Sequence, residues 1–530
     1  MVDAGIDTQQ RGRRDEPASL RRYRFGLCAF LCLSMQPGWA EEKPATNARG
    51  ESQASTLAER IDAHIGNPAF EHASWGIAVV SLDSGKTLYA HDADKLLVPA
   101  SVGKLYTAAL ALDALGPDYR IPTSLFATHK VGRDGELRGD LVLVGYGDPT
   151  LGTDPKVSWA DVMATAVRKS GIRTVRGQLI GDATWFASPL YGRGWEAADL
   201  QSWFGAPASA LSVDENVVRV EVRPAPQFGA LARIRFEPPA SAPKLANSLR
   251  TLRAPAPTDI SLYRAPGDSV LHAFGTIASD AGPQFYRQAV HDPALVAVEQ
   301  LRAALSRQGV AVEGKSQSLY WPQPHDYAND TLQRVIDIWS PPVSEIVNHG
   351  LKVSQNLYMQ NLLLMVGARE AEEERKAGKI TTQFRSSEVR GIRALRAYLR
   401  RIGVPVDGVL MEDGPGLSRR DLTSATALTA LLAHLGDLPS ARSLRIGLPE
   451  AGVDGSLTGR MRNSAAKGRI HAKTGTMAFT YALAGYALTA TGERLAFTIL
   501  LNNYRRGPNS GRPSAALDAI AIHLAELGKD

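Results

Sequence analysis

The chain has 530 residues, a net charge of +6 and a charged fraction of 22%. That length asks for more than one domain, and the composition is that of a globular protein. The basic excess is small and no Lys/Arg cluster is interleaved with aromatics, which argues against nucleic-acid binding and leaves room for weak attraction to an anionic polymer.

At the start of the chain, Arg21, Arg22 and Arg24 precede an apolar run, Phe25 to Met35, and Gly38-Trp39-Ala40 follows. This predicts a secretory signal peptide over residues 1–40, cut after Ala40. The run is too short to span a bilayer. Arg21-Arg22 is compatible with a twin-arginine signal, although its flanks fit poorly. The long stretch before it leaves open a start codon further downstream. Both cysteines, Cys28 and Cys32, lie inside the signal, so no disulfide and no cysteine metal site is expected in the mature chain. Cys32 as a lipoprotein cysteine is the minor alternative. No later segment has the length of a transmembrane helix, so an exported, periplasmic protein, soluble or loosely membrane-associated, is expected.

Residues 41–55 are polar and predicted to be disordered. A short helix is expected over Leu57 to Ile65, then a hairpin from Trp75 to Leu82 and Thr87 to Ala90 around Asp83-Ser84-Gly85-Lys86. Next comes Val98-Pro99-Ala100-Ser101-Val102-Gly103-Lys104. Leu105, Ala108, Ala109, Leu112 and Leu115 recur at helical spacing, and Gly116-Pro117 ends the run. Ser101 therefore sits in the first turn of a buried helix, with Lys104 on the same face three residues later. From about 121 to 334 the texture changes to short β-type runs: Gly139 to Gly145, Val175 to Gly181, Val217 to Pro224, Ala232 to Phe236, Val310 to Glu313 and Ser318 to Trp321. One helical pattern, Pro293 to Gln308, interrupts them. Helices return over Glu345 to Met365, Ser387 to Ile402 and Ser424 to Leu435. Ile470 to Ala472 leads into a strand, Ala482 to Leu488 and Leu495 to Asn502 form a last hairpin, and Pro513 to Leu527 closes the chain as a helix.

The chemistry sits in three places. A serine hydroxyl is a weak nucleophile until a base takes its proton, and a lysine can be that base only when burial holds it neutral. Ser101 and Lys104 supply that pair. Ser354-Gln355-Asn356, read as lying within a helix, and Lys473-Thr474-Gly475-Thr476, read as opening a strand, follow in order. Ser-x-x-Lys, Ser-x-Asn and Lys-Thr-Gly in that order are the signature of penicillin-binding proteins and serine β-lactamases.

With these motifs in view, the chain resembles the D-alanyl-D-alanine carboxypeptidase/endopeptidase family of class C penicillin-binding proteins over most of residues 57–528. Further matching stretches are Gly145 to Leu151, Gly181-Asp182 with Phe186, Phe204, Ala206-Pro207, Ser209 to Ser212 and Asn216. Later come Asp413-Gly414, Gly416 to Arg419, Gly455 to Leu457 and Leu483 to Tyr486. Four positions depart from the family pattern: Gln355 for Asp, Pro415 for Ser, Asp421 for Asn and Gln360 for Glu. The resemblance implies an α/β fold, a sheet flanked by helices of the serine β-lactamase/transpeptidase type. A large insertion, residues 121–334, forms two small mainly-β domains and splits the transpeptidase-like domain into residues 41–120 and 335–530.

The expected roles follow. Ser101 is the nucleophile and Lys104 its base. Ser354 relays a proton to the leaving amine, and Asn356 holds Lys104 or the substrate backbone. Lys473, with Thr474, Gly475 and Thr476, binds the free carboxylate of a peptide end, and the backbone N–H groups of Ser101 and Thr476 form an oxyanion hole. Asp199 reads either as the partner of a cationic diamino acid or as a plain turn residue. His349 reads as structural. No cofactor and no metal are called for. The expected partners are peptidoglycan stem peptides, with β-lactams as inhibitors. A serine β-lactamase is the rival enzyme, but Ser101 and Ser354 stand 253 positions apart, which leaves room for an insert that such small enzymes lack. A non-catalytic wall-binding or antibiotic-sensing protein is the other rival.

Overall fold

The structure, a computed structural model, describes residues 56–323, 332–379, 383–505 and 512–528. The expected signal peptide, both cysteines and the polar stretch 41–55 lie outside the described residues.

The first helix, Leu57–Ile65, is fixed by a capping box: Glu59 N–H donates to Thr56 Oγ1 and Thr56 N–H to Glu59 Oε2. Ser74–Ser81 and Thr87–His91 then form the expected hairpin. They complete an antiparallel five-stranded sheet with strands from the other end of the chain. Its order is Thr87–His91, Ser74–Ser81, Arg494–Asn502, Thr480–Leu488 and Ile470–Met477.

Residues alternate across this sheet with period two. Leu483, Phe497, Ile499 and Leu501 share a core with Ile61, Leu517 and Ile520 of the first and last helices. Ala482, Ala484, Ala496 and Leu500 face the other way, into a core with Leu428, Leu431 and Leu432 of helix Ala425–Gly436. The small residues on that face let the helical layer approach closely. Within it lies Lys104–Ala114, whose residues 104 to 112 are all buried, which explains why its sequence is apolar nearly all round.

The region between holds three larger sheets or parts of sheets. Ser316–Leu319, Leu179–Asp182, Leu141–Gly145, Pro122–Ala127 and Gln333–Trp339 form one mixed sheet in that order. Helices Trp159–Lys169 and Pro293–Arg307 bury Trp159, Met163, Val167, Val298 and Leu301 in the same core as Leu141, Leu143 and Leu179. That core runs on without a break to the serine helix. Beyond it, Gln284–Ala289, Val217–Arg223 and Arg233–Glu237 form an antiparallel sheet, and Val270–Ala278 centres another. These two share a separate core of Val218, Val220, Val222, Leu249, Leu271 and Ile277. The fold is mixed α/β with several small sheets, as expected.

Two local expectations need correction. The reading of this region had one helix; Trp159–Lys169 is a second, capped by Ser158, whose Oγ accepts the Asp161 N–H. The run Val175 to Gly181 is two strands, Thr174–Val175 and Leu179–Asp182, in different sheets.

Candidate active site

The serine lies where the chain leaves the sheet. Val98 is tied in both directions to Asn502, the last residue of strand Arg494–Asn502: its N–H donates to Oδ1 at 2.7 Å and its C=O accepts from Nδ2 at 3.1 Å. Ala100–Gly103 is a 3-10 turn that runs straight into helix Lys104–Ala114. Ala100 holds φ +48°, a left-handed value that an alanine adopts only under constraint. Two close approaches supply the constraint. A Cβ on Gly475 would lie 2.8 Å from Pro99 O, and one on Gly416 (φ +73°) would lie 2.1 Å from Ala100 O. The turn is thus clamped between the Lys-Thr-Gly strand and the loop after Asp413.

Lys104 is fully buried, and its ammonium group has three acceptors. Nζ lies 2.8 Å from Ser101 Oγ, 2.5 Å from Asn356 Oδ1 and 2.9 Å from the Pro415 carbonyl. Burial pushes its pKa down to about 7, against the attraction of Asp413 and Asp421. Asn356 is itself held, donating from Nδ2 to Phe204 O at 2.7 Å. A positioned lysine that is about half neutral at pH 7, beside a serine hydroxyl, is the arrangement that proton abstraction requires.

Ser354 corrects the sequence reading. It does not lie within a helix but in the break between Val343–Lys352 and Asn356–Lys376, with φ +61°. That break aims its hydroxyl at Lys473, whose Nζ donates to Ser354 Oγ and to Thr474 O, both at 2.8 Å. Lys473 is also fully buried. Burial, and then the proximity of Lys104, hold it well below the ordinary lysine value. Two lysines so close, in so little water, cannot both keep a proton easily.

Ile470–Met477 is an edge strand. Its outer flank is used by residues 449–451 near its start, where Ala472 N–H donates to Pro449 O. By the two-residue alternation of a strand, the N–H groups of Thr474 and Thr476 point to that same outer flank, past the serine turn. Thr474 Oγ1 hydrogen-bonds Ser456 Oγ at 2.7 Å, and Thr476 is exposed.

Behind Lys104, the Asp413 carboxylate gathers a loop. It accepts the N–H groups of Gly416, Leu417 and Ser418 at 2.7, 3.0 and 2.7 Å, and the Trp195 indole at 2.7 Å. This loop presents the Pro415 carbonyl to Lys104. Sequence reasoning missed the Pro415 and Phe204 carbonyls, because a backbone oxygen leaves no mark in a sequence. Asp413 did stand in a matching stretch, yet nothing there indicated that it faces the lysine.

Asp199 is buried in the 3-10 turn Asp199–Gln201, where its Oδ2 accepts the Glu196 N–H at 3.3 Å. Burial raises its carboxyl pKa against the pull of Arg419. Its turn packs against Gly205, next to the Phe204 carbonyl that holds Asn356. His349 stands away from Ser101, 3.6 Å from Glu215 and against the Tyr358 ring. A cleft of about 1220 Å³ is lined by Gln355 and Trp203, with Glu215, Arg287 and His349 on its walls. Ser101, Lys104 and Lys473 do not line it.

The family described as D-Ala-D-Ala carboxypeptidase 3 (S13) matches residues 57–524. The chain belongs to this family and is a serine-type D-Ala-D-Ala carboxypeptidase. Among relatives, a D-alanyl-D-alanine carboxypeptidase of Actinomadura sp. (strain R39) is 35% identical over 494 residues, covering 91% of this chain and 87% of that one. The D-alanyl-D-alanine carboxypeptidase DacB of Haemophilus influenzae is 24% identical over 441 residues, covering 82% and 87%. The crystal structure of penicillin-binding protein 4 (dacB) from Haemophilus influenzae shares the fold, with a TM-score of 0.75 over 88% of this chain and 98% of that one at 23% identity. No helix among the described residues is long and apolar enough to cross a membrane.

Proposed function

We propose that this carboxypeptidase is exported to the periplasm, where it cleaves D-Ala-D-Ala ends and D,D cross-links of peptidoglycan stem peptides through an acyl-enzyme on Ser101. The observation that carries the reading is the contact of 2.8 Å between Lys104 Nζ and Ser101 Oγ, made by a lysine whose burial brings it to about 7. Neutral Lys104 takes the hydroxyl proton as Oγ attacks the penultimate carbonyl carbon. The peptide C–N bond then breaks, and the proton passes by way of Ser354 to the departing amine. Water repeats the sequence in reverse and frees the enzyme.

Asn356 keeps Lys104 on station. The outward N–H of Thr476, with that of Ser101, receives the oxyanion, and the substrate backbone lies along the edge strand. Lys473, with Thr474 and Gly475, meets the terminal carboxylate; an arriving anion restores the charge that burial removes from this lysine. Asp199 meets the cationic end of a diamino acid in the stem. The same reading takes residues 41–120 and 335–530 as the catalytic domain, 121–334 as its insertion, and 1–40 as the export signal. A Haemophilus influenzae penicillin-binding protein 4 at 22% identity has been crystallised with a β-lactam, which supports β-lactams as inhibitors here.

The test joins benzylpenicillin labelling, read by intact mass and peptide mapping, to product analysis on purified peptidoglycan. An adduct on Ser101, lost in Ser101→Ala, with release of D-alanine and of uncross-linked muropeptides is expected. Rapid penicillin turnover without D-alanine release would point to a β-lactamase. Neither labelling nor turnover would point to a non-catalytic binding protein.

A further inference from the structure

Of the three groups bonded to the Lys104 amine, Ser101, Asn356 and Pro415, only Ser101 has a proton to give back. The Pro415 carbonyl has none. Asn356 presents its oxygen, because its Nδ2 is engaged with Phe204 O at 2.7 Å. A neutral amine has two N–H groups and one lone pair. With the N–H groups on Asn356 Oδ1 and Pro415 O, the lone pair falls to Ser101 Oγ, where the proton is taken. Without the Pro415 acceptor the amine can rotate and point an N–H at Ser101 instead. The position of one backbone carbonyl therefore decides how well the lysine serves as a base.

That carbonyl is fixed from both sides. The Pro415 C=O and the Gly416 N–H belong to one planar peptide and point opposite ways. Asp413 Oδ1 accepts the N–H at 2.7 Å, which turns the C=O away from Asp413. On the other side stands Gly414, joined to the carbonyl through a proline whose ring locks φ. Gly414 is gripped from two helices: its N–H donates to Gln360 Oε1 and its C=O accepts from Thr107 Oγ1, both at 2.8 Å. Gln360 stands one turn beyond Asn356, and Thr107 one turn beyond Lys104. The helices that deliver those two side chains thus also hold the loop. A Cβ on Gly414 would lie 2.5 Å from Met359 O, so the loop comes in against the helix as only glycine permits. Gln360 and Thr107 are buried. Glu388, on helix Ser387–Arg401, accepts from Gln360 Nε2 at 2.9 Å and so turns the amide oxygen toward Gly414.

We propose that Gln360 and Thr107 are positioning residues of acylation: by gripping Gly414 from two helices they hold the Pro415 carbonyl where it makes the deprotonated amine of Lys104 turn its lone pair to Ser101. This rests on the reading of Lys104 as the base of Ser101. Each of the two residues acts through a single backbone carbonyl and has no need to touch the substrate. The charges that bear on Lys104 are Asp413 and Asp421 from the loop and Lys473 from strand Ile470–Met477. Exchanging Gln360 or Thr107 for another neutral side chain leaves all three in place, so its effect on rate isolates geometry from charge.

Stopped-flow acylation by benzylpenicillin, carried to saturation, separates the acylation constant from the dissociation constant of the complex that precedes it. The experiment compares the wild type, Gln360→Met, Thr107→Val and Thr107→Ser from pH 5.5 to 9.5, with adducts mapped by mass spectrometry. Methionine fills the space of Gln360 without its acceptor. Valine fills the space of Thr107 without its hydroxyl, and serine keeps the hydroxyl. Above pH 8, where Lys104 is neutral, the acylation constant should fall about ten-fold in Gln360→Met and about three-fold in Thr107→Val. In Thr107→Ser it should stay within about two-fold of the wild type, and the dissociation constant should hold in all three variants. An unaltered acylation constant in Gln360→Met, or equal losses in Thr107→Val and Thr107→Ser, would overturn the inference. So would an acid limb moved to higher pH in Gln360→Met, because water admitted around a loosened Lys104 raises its pKa, whereas a lost acceptor does not. If Gln360→Met does not fold, the Thr107 pair decides alone. Absence of a Ser101 adduct in the wild type would instead overturn the nucleophile reading itself, and the inference with it.

Discussion

Replacing Lys104 with methionine should abolish acylation and change stability with a sign that reverses with pH. The side chain fills nearly the same volume, so the difference lies in the ammonium group. Its three hydrogen bonds, to Ser101, Asn356 and Pro415, are lost; at about 1 kcal/mol each they amount to ~3 kcal/mol in favour of the wild type. Against them stands the proton. In the unfolded chain the lysine keeps its proton up to about 10.5, whereas in the folded chain it is lost at about 7. Between those values folding expels a proton, so the stability that the neutral lysine contributes is complete above 10.5, falls as pH drops, and is fully lost below 7. At about 1.4 kcal/mol per pH unit the loss reaches ~5 kcal/mol. The wild type should therefore be the more stable protein by ~3 kcal/mol near pH 10.5 and the less stable by ~2 kcal/mol at pH 7, with the curves crossing near pH 8. Lys473 is present in both proteins, and apart from its repulsion with Lys104 its titration cancels in the difference. Urea unfolding followed by tryptophan fluorescence, from pH 6.5 to 9.5, measures that difference. A value constant with pH would mean that Lys104 keeps its proton in the folded protein, and the neutral-base argument would fail.

Acylation of the wild type by benzylpenicillin should fall about ten-fold for each pH unit below 7, as the neutral fraction of Lys104 falls; a rate level down to pH 5.5 would exclude Lys104 as the group titrating. Gly475→Ala would place a methyl group 2.8 Å from Pro99 O and 3.0 Å from Ala482 Cβ. Pushing the strand off the serine turn should cost about 1–3 kcal/mol and slow acylation about ten-fold, both read on the purified variant. Normal acylation in that variant would show that the clamp on Ser101 is not needed. Lys473→Ala should slow cleavage of peptides with a free terminal carboxylate more than that of their amides, because a charge-assisted bond exceeds a neutral one; equal losses would mean that Lys473 reads another group.

Much of this arrangement was legible in the sequence, and the parts that were not share a cause. Leu57–Ile65, the two hairpins, Pro293–Arg307 and Pro513–Glu526 each declare themselves through local periodicity and turn residues, and the structure has them within a residue or two. Helix Trp159–Lys169 carried its own signals, Ser158 as cap and Trp159, Met163 and Val167 at i, i+4, i+8. It went unread because strand-like runs surround it. Ser354 was misread for a physical reason: the apolar period of Val343–Lys352 carries over into Asn356–Lys376, and one left-handed residue breaks the helix without breaking the pattern. The Ser101–Lys104 contact could be read because it is local. The facts that Asn356 and Pro415 complete the lysine's shell, and that Asp413 lies behind it, depend on positions 252 to 311 residues away and on backbone atoms. Side-chain spacing does not encode such things.

The tie between Val98 and Asn502 spans 404 positions of sequence. The strand that carries Asn502 also sits in the middle of the five-stranded sheet, between one hairpin from the start of the described chain and another element from near its end. A growing chain could complete the serine helix, the whole region 121–334 and the Ser354 turn, and still have no surface on which to set Ser101. Closing a loop of that length is entropically slow, and it must precede the contacts that reward it. The nucleophile should thus be among the last groups to reach its place during folding. A chain that crosses a membrane before folding would carry an inert serine throughout the passage, and a chain cut short before residue 494 would keep all three motifs while lacking the strand that brings them together.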